Sequence, residues 1–168
     1  GEDPLSSVKR ALANLPPWIT RRRFRADSAA YDTPLLKHLV AEHVGFAISA
    51  DMTKDLRTCC LMVPAERWTA LDTREREQVD LAEVEFTPGD WPRSAERLRY
   101  VALRFMPLQA ELFEERGPSY QAVVSNRDDL DATQLARWPR GRAGTIEHVN
   151  RVMEDELGAG VLPSARFG

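Results

Sequence analysis

Carboxylates at the ends of strand-like runs and on a helix face are the residues of this chain best suited to chemistry. Asp27 closes Arg21-Arg22-Arg23-Phe24-Arg25-Ala26, a run with four arginines in five positions that stops on an acid and a small-residue stretch ending in Tyr31-Asp32. Asp51 follows the short apolar run Phe46-Ala47-Ile48-Ser49-Ala50, and Glu147 lies downstream in Thr145-Ile146-Glu147-His148. Mg²⁺ takes hard oxygen ligands and keeps several waters, so a protein site supplies only a few carboxylates. Two such ions about 4 Å apart activate a water or a 3′-hydroxyl and stabilise the leaving oxygen of phosphodiester transfer. Asp27 and Glu147 are the candidate ligands.

The elements that must position them follow from periodicity. Leu5, Val8, Leu12 and Leu15 recur at helical spacing, and Pro16-Pro17 ends that helix. Thr20 to Asp27 reads as a strand. Asp32 or Thr33 caps the next helix, with Pro34 in its first turn and Leu35, Leu36, Leu39 and Val40 on its apolar face. Gly45 follows, then the buried-type strand FAISA. Residues 5 to 50 thus read helix, strand, helix, strand, the rhythm in which parallel strands bring their carboxyl ends to one edge. Asp27 and Asp51 both fall at such ends.

From about residue 53 the pattern changes. The short helix KDLRTCCLMV is followed by VDLAEVEF, RLRYVALRF and SYQAVVS, strand-like runs spaced by TPGDWP and ERGPS in the manner of an antiparallel meander. This predicts a β-rich insertion in an α/β core. DDLDATQLARW reads as a helix broken by PRGRAG. A last helix is expected from Thr145 as N-cap to Gly158 as C-cap, with Ile146, Val149, Met153 and Leu157 as its apolar stripe. Glu147, Arg151 and Glu154 share another of its faces.

The 168 residues suffice for one domain with a sizeable core and at most a small subdomain. Hydrophobic residues at 43% and charged residues at 29% belong to an ordered globular chain. No apolar run approaches the ~18 to 20 residues of a bilayer span, and GEDPLSSVKR has no apolar core of a signal segment. The two cysteines, Cys59 and Cys60, are adjacent, a poor geometry for a mutual disulfide and no zinc framework. A reducing, cytoplasmic setting and no membrane are expected. The net charge of −3 argues mildly against nucleic acid. Local basic patches, with Arg21 to Arg25 early and Arg137, Arg140 and Arg142 late, argue the other way.

Three stretches in order, RADSAAYD, FAISADMT and RGRAGTIEHVNRVMEDELGAGVLPSARFG, resemble the cut-and-paste DDE transposases of bacterial insertion sequences, those with a β-rich insertion in a ribonuclease-H-like core. The resemblance covers nearly the whole chain. It implies an α/β ribonuclease-H-like core interrupted by a mostly antiparallel β insertion, with the N-terminal core strands missing. Residues 1–52 would be partial core, 53–128 the insertion, and 129–168 the C-terminal part with the Glu-bearing helix. Asp27 would be the second and Glu147 the third acid of the DDE triad, both catalytic and metal-binding, with Mg²⁺ or Mn²⁺ as cofactor. The first acid has no counterpart, so this reads as a C-terminal fragment not expected to cleave DNA alone.

The family's Tyr–Arg–Glu–Lys signature falls on Trp138, Arg142, Glu147 and Glu154, with one extra residue of spacing for the first two and a carboxylate in place of the lysine. Arg142, Arg140, Arg151 and Trp138 are the implied DNA-binding residues. The implied partners are the element's terminal inverted repeats and target DNA, with a homodimer in the synaptic complex. The rival expectation is a catalytically dead DNA-binding or oligomerisation remnant, favoured by Glu154. Arg21 to Arg23 read either as phosphate contacts or as the exposed face of an edge strand. Arg140 and Arg142 read either as DNA contacts or as a solvated loop.

Overall fold

Hydrophobic alternation and good caps produce a mixed α/β architecture. The computed structural model describes residues 3–73, 77–108 and 117–138. Asp3 caps helix α1 (Pro4–Ala13) by accepting from the Ser6 amide. A segment with a turn closed by the Ile19 amide on the Pro16 carbonyl leads to strand β1 (Arg23–Ala26), half the length expected. Its ladder to β2 (Gly45–Ala50) is parallel, and the crossover between them is helix α2 (Thr33–Ala41). Asp32, rather than Thr33, caps α2 through the Leu35 amide at 3.3 Å. The chain leaves α2 through His43, whose φ of 53° turns it back into the sheet.

Thr53 caps helix α3 (Lys54–Leu61). Strands β3 (Thr69–Thr73), β4 (Glu77–Val84), β5 (Arg99–Pro107) and β6 (Ser119–Ser125) form the expected antiparallel meander. β3 is an addition to the three strands legible in the sequence. Helix α4 (Ala132–Arg137) starts with a capping box made by Asp131 and Gln134.

All six strands join one sheet, in the order β1-β2-β6-β5-β4-β3. The link is β6, which pairs antiparallel with β2, Ile48 opposite Val124. The sheet therefore runs without interruption from the parallel βαβ unit into the meander. β5 is buried on both faces, as its nearly unbroken apolar sequence requires. Tyr100 and Ala102 join Phe46, Ile48 and Val124 under α2 and α3. Val101, Leu103 and Phe105 join Val79, Leu81 and Val123 against Leu135 and Ala136 of α4. Leu35, Leu36 and Leu39 are fully buried, each stabilising by roughly 2 kcal/mol through the area removed from water.

Cys60 is buried and Cys59 half-buried, both as free thiols; burial first, and then the neighbouring Cys59, pushes the Cys60 thiol up to about 11. No helix among the described residues is long and apolar enough to cross a membrane.

Candidate functional site

Asp27 sits where β1 ends. Its carboxylate accepts from the Ala29 amide at 3.2 Å and so caps the 3-10 turn Ser28–Ala30. The side chain is exposed, and no other hydrogen bond to it occurs among the described residues. Asp51 ends the adjacent parallel strand and is also exposed. The register Ala26 opposite Ile48 puts Asp27 level with Ser49, so Asp51 lies two residues, roughly 7 Å, further along the strand direction. Between the turn and the sheet is a cavity of about 150 Å³ lined by Ser28, Ser49, Ala50, Leu103, Gln121 and Val123. Both acids thus share the carboxyl edge of the parallel pair, where open α/β sheets carry their sites.

Two contacts hold this edge in place. The turn ends at Tyr31, whose hydroxyl meets the Tyr100 hydroxyl of β5 at 3.0 Å. Burial raises the ionisation of both phenols above the ordinary tyrosine range. The second contact comes from β1 itself: the Arg25 guanidinium donates to the Trp138 carbonyl at 3.2 Å, tying the end of α4 to the strand that bears Asp27.

Trp138 is half-buried against the α4 side of the sheet, and the Arg127 guanidinium lies over its ring at 4.6 Å. One face of the indole is therefore already covered. Glu147, Arg140, Arg142 and Arg151 lie outside the described residues, as does the expected helix from Thr145 to Gly158. Among the described residues no group of three or more His, Cys, Asp or Glu side chains is gathered as for a metal ion.

The arginines before Asp27 serve the other end of the strands. Arg21, Arg22 and Arg23 line an open groove of about 580 Å³ at the amino ends of β1 and β2, together with Gly45, Asn126 and Arg127. Arg22 pairs with Glu42 at 3.6 Å, and Arg23 reaches Asp129 at 3.7 Å.

The residues after β6 are the part of this region that sequence reasoning missed. The Asn126 side chain accepts from the Phe46 amide at 2.9 Å and donates to the Val44 carbonyl at 3.1 Å, closing the start of β2. Arg127 is 5% exposed and forks onto both oxygens of Asp129, at 2.9 and 2.5 Å, which holds that carboxyl below the usual carboxylate range. Gly45 makes room for it, since a Cβ there would stand 3.3 Å from Arg127 Cγ. The polar run Asn126-Arg127-Asp128-Asp129 directly after a buried strand was the available signal. No family model and no curated protein matches the chain.

Proposed function

We propose that the chain is the part of a DDE transposase that supplies the second and third carboxylates of the metal site, Asp27 and Glu147. The observation that carries this reading is the Arg25–Trp138 contact at 3.2 Å. It starts the segment towards Glu147 two residues from Asp27, and the nine residues from Trp138 to Glu147 can span up to ~30 Å, so the two acids are within reach of one site. The motif order described above supports the same reading. The parallel β1–β2 pair with its α2 crossover would belong to a ribonuclease-H-like core, and β3 to β6 to the β-rich addition.

The donor chemistry at Asp27 suits a hard divalent ion. The carboxylate is exposed, and its cap bond to Ala29 uses one oxygen and leaves the other for a ligand. Asp27 and Glu147 would hold Mg²⁺ or Mn²⁺, which supplies activation of a water or a 3′-hydroxyl and charge stabilisation of the leaving oxygen. The chain's own part is positional. The Tyr31–Tyr100 pair fixes the turn that presents Asp27, and Arg140, Arg142, Arg151 and Trp138 would hold the DNA. Inverted-repeat ends and target DNA would be the substrates, in a synaptic homodimer.

The test is a Mn²⁺ titration followed by calorimetry on the wild-type chain, Asp27→Asn and Glu147→Gln. The transposase reading expects each variant to weaken binding about tenfold or more, and the double variant to add little to either, because the ligands act on one ion. Unchanged Mn²⁺ binding in both variants would remove the catalytic reading. The second reading, a DNA-binding remnant favoured by Glu154 at the lysine position, would then stand if duplex DNA were still bound.

A further inference from the structure

The arginine run that precedes Asp27 does not surround it. From Arg23 to Asp27 the chain advances by four residues, roughly 13 Å at strand rise, so the arginine end and the acid end of β1 address opposite edges of the sheet. We propose that the groove at the amino ends of β1 and β2 binds the phosphodiester backbone of duplex DNA, as a contact separate from the Asp27 edge. This rests on the reading of DNA as the partner, and adds where a second stretch of backbone is held.

The groove has one adjustable wall and one fixed wall. Arg21 is exposed and makes no ion pair among the described residues. Arg23 is paired at 3.7 Å with Asp129, and both side chains are largely exposed. Exposed pairs at such separations contribute little, so a phosphate oxygen can replace Asp129 as the partner of Arg23 at small cost. Across the groove, Arg127 cannot move in this way, being forked onto Asp129 and stacked on Trp138. Asp129 stays neutralised by Arg127 when Arg23 turns away.

Glu96 and Asp128 also line the groove, and they limit the cationic excess. Binding through this surface is therefore a matter of two arginines, Arg21 and Arg23, and not of a broad basic field. The spacing has a consequence for the substrate. Roughly 13 Å corresponds to about four base pairs of duplex at 3.4 Å each, so a duplex continuing from the reaction edge can meet the groove within half a helical turn.

The experiment measures anisotropy of a fluorescein-labelled duplex of about 20 base pairs and arbitrary sequence over a range of salt. Arg21→Ala with Arg23→Ala should lower the slope of log K against log salt by about 2, one unit per lost contact. Arg67→Ala, outside the groove, should leave the slope unchanged. A wild-type slope in the double variant would overturn the proposal, as would a wild-type chain that binds no duplex.

Arg21 stands outside any strand. If the double variant melts early, Arg21→Ala alone should lower the slope by about 1, and no change there would overturn the proposal equally. Asp27→Asn separates the two readings. It should lose Mn²⁺ affinity while keeping the salt slope, so the groove can fail with the metal site standing, or the reverse.

Discussion

The Arg25 guanidinium reaches across to the Trp138 carbonyl at 3.2 Å, joining the strand that ends in Asp27 to the last turn of α4, more than a hundred residues later in the chain. That carbonyl belongs to the unsatisfied set at a helix C-terminus, where a cation is favoured by both the hydrogen bond and the helix dipole. Arg25→Met keeps the aliphatic stem and removes the donor. It should cost about 1.5–3 kcal/mol in urea unfolding, the range of hydrogen bonds to charged groups. A loss under about 0.3 kcal/mol would mean that the contact does not hold α4 to β1 in solution.

The Tyr31–Tyr100 pair predicts an asymmetry between two conservative changes. Tyr100 is 1% exposed, whereas Tyr31 is half-buried. Tyr31→Phe leaves the Tyr100 hydroxyl buried without its partner and should cost about 1–3 kcal/mol. Tyr100→Phe leaves a Tyr31 hydroxyl that can turn towards water, and should cost about 1 kcal/mol or less. Equal losses would contradict this assignment of burial.

Both phenols ionise above their ordinary value of 10.0 when folded. Above that pH the folded chain holds more protons than the unfolded one, so stability is present below it and falls as pH rises further. Wild-type stability measured by urea unfolding should decline beyond pH ~10 more steeply than that of the double Phe variant.

The part of this site that could be read from sequence is the part set by local pattern. Asp27 and Asp51 follow strands because each terminates an extended run, and the FAISA run needed only its apolar character to declare itself. β1 proved shorter than the arginine run because its ladder with β2 begins at Arg23, with Gly45 opposite. β3 gave no period-2 signal: it is an edge strand, mostly exposed, with an irregularity between Ala70 and Asp72. Asn126 and Arg127 were illegible for a different reason. Their partners lie about 80 residues away at Val44 and Phe46, or depend on a glycine at position 45 that only the folded chain sets beside Arg127.

Asn126 should be among the least replaceable polar residues described. Its amide serves both a donor and an acceptor of the backbone at the start of β2. Asn126→Ala orphans the Phe46 amide and the Val44 carbonyl, and should cost about 2–4 kcal/mol by thermal or urea melts. Asn126→Asp retains the acceptor for Phe46 but faces the Val44 carbonyl with an oxygen. It should recover only part of the loss, and full recovery would show the Val44 bond to be idle.

Asp80 and Arg104 form a pair at 2.8 Å on neighbouring strands, with Gln78 donating to the same carboxylate at 2.7 Å and Trp68 beneath the guanidinium at 4.4 Å. Burial drives the Asp80 carboxyl up, but the hydrogen bonds from Arg104 and Gln78 outweigh it and leave it below its usual value of 3.8. A depressed folded value means that the pair stabilises above the unfolded pKa and that this share is lost as pH falls through the folded one. Asp80→Asn should therefore flatten the acid limb of the stability curve below pH ~4. At neutral pH, Asp80→Ala strands the Arg104 charge and should cost about 3 kcal/mol, whereas Asp80→Ala with Arg104→Met should cost less than that.

Asp27 should tolerate loss of charge and still matter for metal. Among the described residues its side chain is bonded to the fold through the cap on the Ala29 amide, which an asparagine oxygen can also accept. Asp27→Asn should therefore melt within about 0.5 kcal/mol of wild type, whereas Asp27→Ala, lacking any cap acceptor, should lose about 0.5–1 kcal/mol. The same pair of variants should behave alike towards Mn²⁺, because a neutral amide and a methyl are both poor substitutes for a carboxylate on a hard ion. Asp51→Asn supplies the comparison on the adjacent strand: assigned no share in the metal, it should leave Mn²⁺ affinity unchanged. An Asp27→Asn chain that binds Mn²⁺ as tightly as wild type would reduce this carboxylate to the cap of a 3-10 turn.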